Sequence, residues 1–385
     1  MHNNLCKLIL AGLVCGCSGY LKANDETSQY IRPSQSPTAL HRKMIARKYG
    51  MFIHFGINTF HDMEWTDGTK PASSYAPTAV DTDNWARTAT DAGMKYVILI
   101  SKHHDGFCLW DSKHTEYDVA ASPNKTDVIA AMAKSCRKYG IELGLYYSLW
   151  DRHWGDGVMR RSTFKADLKL TREQKQAYVD YMEKQLTELL SNYGEICELW
   201  LDGGWVMPRE AWQIPRIYSH VKKLQPACAI GVNWSIGRPG KPDSSLVKPN
   251  EQKEGFPIRY FPSDFRLGDP YLPAKPDPKL FSHDGNLYYM PFESTICLND
   301  KWFFNTKDNA LKSVDELARL YKTATDQDNI LIFNSPPNRH GVMPERNVTR
   351  LKELAEHLGL TGDNKISEPI TEGDGLTRSI HEAAS

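Results

Sequence analysis

Apolar runs of strand length recur along the chain at 51–56 (MFIHFG), 95–101 (KYVILIS), 141–148 (IELGLYYS), 196–202 (ICELWLD), 228–233 (CAIGVN) and 329–334 (NILIFN), with another near 292–298 (FESTICL). Between them lie amphipathic stretches at 83–92, 126–138, 171–192, 208–224, 313–326 and 345–358. Short buried strands alternating with longer helices are the signature of βα units around a parallel sheet. Seven or eight such repeats over about 330 residues fit a (β/α)8 barrel. An open doubly wound sheet fits less well, because no GxGxxG opens a helix. The expected fold is therefore α/β, a TIM-like (β/α)8 barrel forming one domain over residues 35–360.

Two stretches depart from that rhythm. Residues 234–291 are rich in Pro, Gly and charge and lack periodicity, so they read as a long insertion on one face of the barrel. Residues 361–385 form a polar tail from which no accessory C-terminal β-sandwich can be built. At the other end, one Lys precedes an apolar stretch from Leu8 to Val14 that is too short to span a membrane and suits an export signal over residues 1–23. The run LVCGC is similar to a bacterial lipoprotein signal, which would make Cys17 the lipidated first residue of the mature chain. The expected location is the periplasm or, with Cys17 lipidated, the outer membrane. A buried N-terminal helix fits worse, because residues 20–37 continue no helical pattern.

Composition removes several function classes. Of the 385 residues 41% are hydrophobic and 11% aromatic, enough for a full core. Lys plus Arg and Asp plus Glu both number 47, so no global field recruits nucleic acid or anionic lipid. Three of the eight cysteines, Cys6, Cys15 and Cys17, fall in the signal region. Cys108, Cys136, Cys197, Cys228 and Cys297 are scattered singly with no CxxC pair, which reads as core packing and argues against a structural zinc site.

In a barrel of this kind, functional side chains gather at the C-terminal ends of the strands. The first run ends near His54, followed by Glu64 and Trp65; the second ends in His103, His104 and Asp105; the third carries Tyr146; the fourth ends in Asp202; a late one carries Glu293. Any one of these has a bland reading, since a strand-end Asp commonly caps a helix and paired histidines are often only a satisfied polar cluster. Convergence at five strand ends marks a site. Aromatic faces stack on the C–H faces of sugars, His and Glu read hydroxyls, and two opposed carboxylates break glycosidic bonds. Asp202, short and fixed to the end of an apolar strand, suits a nucleophile. Glu293, a methylene longer and beside MPF and KWFF, suits an acid whose pKa is lifted by apolar walls. Trp200 alternates to the face of Asp202, Gly203 and Gly204 let the chain turn away, and Trp205 and Arg259 are further pocket candidates.

The segments MFIHFGINTF…MEW, SKHHDGFCLW, GLYYSLWD, LWLDGGW, ESTICLNDKWFF and NILIFNSPPNRHG, in this order, resemble the α-L-fucosidases of glycoside hydrolase family 29 over residues 35–358. The resemblance implies a retaining exo-α-L-fucosidase on a (β/α)8-like barrel, acting on fucosylated glycans with no metal or organic cofactor. It puts the nucleophile at Asp202 and the acid/base at Glu293. The sugar contacts fall on His54, His103, His104, Tyr146 and Trp200, and the pair closing over fucose on Glu64 and Trp65. Where members often read TLNxxWGY, this chain has CLNDKWFF. The segments around His54 and His103 look like the α1,3/4-preferring branch and that around Glu293 like the broader one, so linkage stays open. Three rivals remain. A metal-dependent hydrolase would use His103, His104 and Asp105, although adjacent histidines on an extended segment should point apart and no HxH or HExxH supports them. A non-catalytic carbohydrate-binding protein has no use for two strand-end carboxylates. A transglycosidase would use the same residues.

Overall fold

The apolar runs fold into a parallel sheet of eight strands: β1 Tyr49–Ile53, β2 Tyr96–Lys102, β3 Glu142–Ser148, β4 Glu198–Asp202, β5 Ala229–Val232, β6 Phe265–Arg266, β7 Glu293–Cys297 and β8 Ile330–Asn334. The computed structural model describes residues 29–161 and 167–360, of which the compact unit begins at Ile31. The expected signal with Cys17 and the tail from 361 lie outside the described residues. In space the order is β7-β8-β1-β2-β3-β4-β5-β6, every pairing parallel. A lone bridge between Arg266 and Phe292 joins the last strand to the first and closes the ring.

Among the described residues seven helices of more than four residues accompany the strands: α1 Ala39–Arg47, α2 Thr82–Asp91, α3 Val128–Tyr139, α4 Arg172–Asn192, α5 Ile214–Leu224, α6 Val314–Thr325 and α7 Glu345–Leu358. Their starts follow local chemistry. Thr38 and Thr171 make reciprocal capping boxes, while Asp81, Asp127 and Ser313 each accept the N–H three residues on. Each such cap contributes about 1 kcal/mol by occupying a donor that the helix leaves unpaired. Gly140 and Gly359 end α3 and α7 in the left-handed conformation.

The stretch 234–291 is more than an insertion. It supplies β6, a two-residue strand too short to leave a periodic trace, together with two antiparallel pairs, Gly237–Arg238 with Lys241–Leu246 and Leu280–His283 with Asn286–Tyr289. Strand β6 is anchored by its side chain: the buried Arg266 guanidinium donates to Gln252 Oε1 (2.7 Å), Asp277 Oδ2 (2.6 Å) and Met290 O (2.9 Å).

Helix α1, which the sequence pattern did not reveal, packs Met44 and Ile45 against the interior residues Phe52, Ile98, Tyr146, Trp200 and Ile332. Its last residue, Arg47, is buried, with Nε 2.5 Å from Glu142 Oε2 and Nη1 3.5 Å from Glu198 Oε2. Glu142 and Glu198 are the first residues of β3 and β4, so α1 closes the N-terminal mouth and leaves the chemistry to the opposite one. Cys108, Cys136, Cys197, Cys228 and Cys297 are buried free thiols, as their scatter suggests. Among the described residues no helix is long and apolar enough to cross a membrane.

Candidate active site

Asp202 is the last residue of β4, and its backbone is held by the sheet: Asp202 O accepts Leu149 N at 2.7 Å, and Leu201 O accepts Asn233 N at 2.8 Å. Gly203 then turns the chain at φ +80°. A Cβ there would sit 2.8 Å from Trp150 Cβ, so glycine is required both for the turn and for room. The carboxylate is aimed by two side-chain donors, Tyr146 Oη to Oδ2 at 2.8 Å and Asn233 Nδ2 to Oδ1 at 2.9 Å. Burial, together with the neighbouring charge of Asp269, pushes the Asp202 carboxyl up to about 7.

The histidines surround it in defined protonation states. Ser148 Oγ donates to the Trp150 carbonyl (2.6 Å), so its 2.6 Å contact with His104 requires that Nδ1 carry the proton. His104 Nε2 is then a bare acceptor 3.6 Å from Asp202 Oδ2, and a substrate hydroxyl between them would donate to it. Similarly, Asn334 Nδ2 donates to Trp302 O (2.8 Å), leaving Oδ1 to accept His54 Nδ1–H at 2.7 Å. His54 Nε2 is therefore also an acceptor. Burial holds His54 down to about 3 and depresses His103 and His104 as well, so all three are neutral. The ring of His103 stacks on Tyr146 at 5.5 Å and lies 4.3 Å from that of His104. The expected divergence of these adjacent histidines fails because the chain leaves β2 at Lys102, before reaching them.

Glu64 and Trp65 come from the long loop after β1 and face different sides of this group. Glu64 Oε2 accepts Trp302 N at 2.9 Å, and its Oε1 is buried with no hydrogen-bond partner among the described residues. Trp65 meets His104 edge-on at 5.3 Å. Asn58 ties this loop to the next, accepting Thr66 N (3.0 Å) and donating to Asp105 Oδ2 (2.9 Å). Asp105 is thereby occupied in loop structure. Among the described residues no three His, Cys, Asp or Glu side chains are grouped so as to hold a metal ion. Of the two further candidates, Trp205 meets His104 edge-on at 5.7 Å, while Arg259 lies over the ring of Tyr260, which packs on Gly204.

Glu293 does not join Asp202. It is the first residue of β7, so its side chain enters the barrel at the N-terminal mouth, where Tyr96 Oη donates to its Oε2 at 2.5 Å. Its neighbours there are Glu198 and the indole of Trp200. Glu198 and Asp202 begin and end the same strand, four residues or about 13 Å apart. The KWFF walls expected around Glu293 enclose the histidines instead, with Phe303 5.2 Å from His54 and 5.0 Å from His103. Trp200 is likewise below the pocket, stacked on Tyr146 at 5.5 Å.

Two groups beside Asp202 were not singled out from the sequence. Asn233, one residue past β5, ends an apolar run just as Asp202 does, and that parallel was a usable signal. Asp269, three residues past β6, gave none because it lies in the aperiodic stretch. Asn233 Nδ2 donates to Asp269 Oδ1 as well as to Asp202 Oδ1.

A barrel whose strand ends gather a buried carboxylate, neutral histidines and several tryptophans has the architecture of a glycosidase. The comparisons are more specific. Residues 61–363 match the family model for α-L-fucosidase. α-L-Fucosidase 1 of Arabidopsis thaliana is 32% identical over 334 residues, covering 82% of this chain and 59% of that protein. A putative α-L-fucosidase 1 of Oryza sativa is 32% identical over 319 residues, covering 80% and 55%. Among solved structures, α-L-fucosidase isoenzyme 1 from Paenibacillus thiaminolyticus superposes with a TM-score of 0.64 at 27% identity, over 84% of this chain and 76% of that one. The chain belongs to the α-L-fucosidase family, glycoside hydrolase family 29. It spans little more than half the length of the two plant relatives.

Proposed function

We propose that this protein hydrolyses terminal α-L-fucose from glycans by double displacement, with Asp202 as nucleophile. The observation that carries this reading is the fixation of Asp202 at the end of β4 by Tyr146 and Asn233, inside a wall of neutral histidines. An anion held by two donors is ready to attack an anomeric carbon, and His54, His104 and the unpartnered Glu64 Oε1 are acceptors suited to sugar hydroxyls. His103 and Trp65 supply ring faces and edges, Tyr146 aims the nucleophile, and Trp200 supports Tyr146 from below.

Turnover of an aryl α-L-fucoside, an aryl β-galactoside and a panel of fucosylated oligosaccharides tests this reading. Cleavage of the fucoside alone supports it, and the panel reports whether α1,3/4 linkages are preferred. Asp202→Gly should be inactive but rescued by azide with inversion to the β-fucosyl azide; rescue with retention would overturn the role of Asp202. Export and lipidation at Cys17 belong to the same proposal and are tested by fractionation and by mass spectrometry of the mature N-terminus.

A further inference from the structure

A double displacement needs a second carboxyl to protonate the departing oxygen, and Glu293 is at the wrong mouth of the barrel. We propose that Asp269 is the acid/base, an assignment that rests on the fucosidase reading above. Asn233 Nδ2 is hydrogen-bonded to both Asp202 Oδ1 and Asp269 Oδ1, so the two oxygens are at most about 6 Å apart. Carboxyl groups of retaining glycosidases stand about 5–5.5 Å apart.

Hydrogen bonding separates the roles of the two acids. Asp202 accepts from Tyr146, Asn233 and the Gly203 N–H, whereas Asp269 accepts from Asn233 and its own N–H. The more firmly aimed carboxylate is Asp202, which suits it to attack and leaves Asp269 to carry the proton once a sugar is bound between them. Burial raises Asp269 as well as Asp202, and each charge opposes the other, so ionisation of both at once is disfavoured. Asp269 is also bordered by aromatic surface: Trp234 follows Asn233, Tyr271 follows Asp269 by two residues, and their half-buried rings meet edge-on at 5.8 Å. This corner, with Lys248 Nζ 5.3 Å from the centroid of Tyr271, is the place for the leaving sugar.

In the first step an Asp202 oxygen bonds to the anomeric carbon, the glycosidic C–O bond breaks, and its electron pair takes the Asp269 proton. In the second, water attacks the same carbon, gives a proton to the Asp269 carboxylate, and the ester to Asp202 breaks with its electrons returning to the carboxylate.

The test compares wild type, Asp269→Ala, the isosteric Asp269→Asn and Glu293→Gln on aryl α-L-fucosides of graded leaving-group acidity. Asp269 variants should lose about 10²–10⁴-fold in kcat/KM on poor leaving groups and far less on dinitrophenyl fucoside. The basic limb of the pH profile should vanish, and azide should restore Asp269→Ala with retention, as α-fucosyl azide. A loss uniform across leaving groups, or this signature in Glu293→Gln, would overturn the assignment. Should neither Asp269 variant fold, wild type treated with N-bromoacetyl-α-L-fucosylamine, whose reactive arm takes the place of the leaving group, decides: the label on Asp269 supports the proposal and on Glu293 overturns it. Failure of wild type on every fucoside would instead overturn the fucosidase reading.

Discussion

Tyr146 donates its phenol proton to Asp202 Oδ2 at 2.8 Å, from the strand next to that of the carboxylate. A donor of this kind favours the ionised acid, so its removal raises the pKa of Asp202 further. Tyr146→Phe should lower kcat/KM by about 10–100-fold, the equivalent of a hydrogen bond to a charged group, and shift the acid limb of the pH profile upward. An unmoved limb would mean that the phenol serves only packing.

Asn334 fixes the tautomer of His54 while its amide nitrogen holds the Trp302 carbonyl. Asn334→Ala should free the imidazole to turn and should raise KM for aryl fucoside about 5–50-fold with a smaller change in kcat, because hydroxyl contacts of this type act in ground and transition states alike. Steady-state kinetics distinguishes this from a collapse of kcat.

The buried pair Glu293 and Glu198 sets a pH dependence of stability. Glu293 is pushed up to about 7, mainly by burial, and Glu198 is raised as well by burial and by Glu293. A carboxyl raised on folding stabilises fully below its unfolded value and loses that contribution as pH rises through its folded value. For Glu293 the window runs from about 4.5 to about 7, worth roughly 3 kcal/mol. Glu293→Gln cannot ionise, so its melting temperature should gain on wild type as pH rises from 5 to 8; parallel melting curves would exclude this account.

Exhaustive dialysis against EDTA should leave aryl-fucoside turnover unchanged, since both oxygens of Asp105 are already engaged, Oδ1 by Phe107 N–H and Oδ2 by Asn58, and His103 Nδ1 comes no nearer than 3.9 Å. Loss of activity restored by a divalent ion would return the His103 and His104 cluster to consideration as ligands.

Much of this was legible in the chain. Strands with wholly buried residues, such as Tyr96–Lys102, announce themselves as apolar runs, and helices with a cap and an apolar stripe, such as Val128–Tyr139, do so by period. Strand β6 could not, because two residues carry no period and its hold on the barrel comes from the Arg266 side chain. The position read for Glu293, beside Asp202, was missed for a different reason. A carboxylate near a strand reads alike at either end of it, and only the direction of β7, from Glu293 up to Cys297, tells which mouth it serves.

The ring of strands is unevenly hooped. Asp202 stands on a stave bonded along its length to both neighbours, whereas the stave leading to Asp269 has two paired residues on one side and a single bridge on the other. Loosening in such a ring begins at the thin joint. The barrel can therefore hold Asp202 still while Asp269, across from it, gives way.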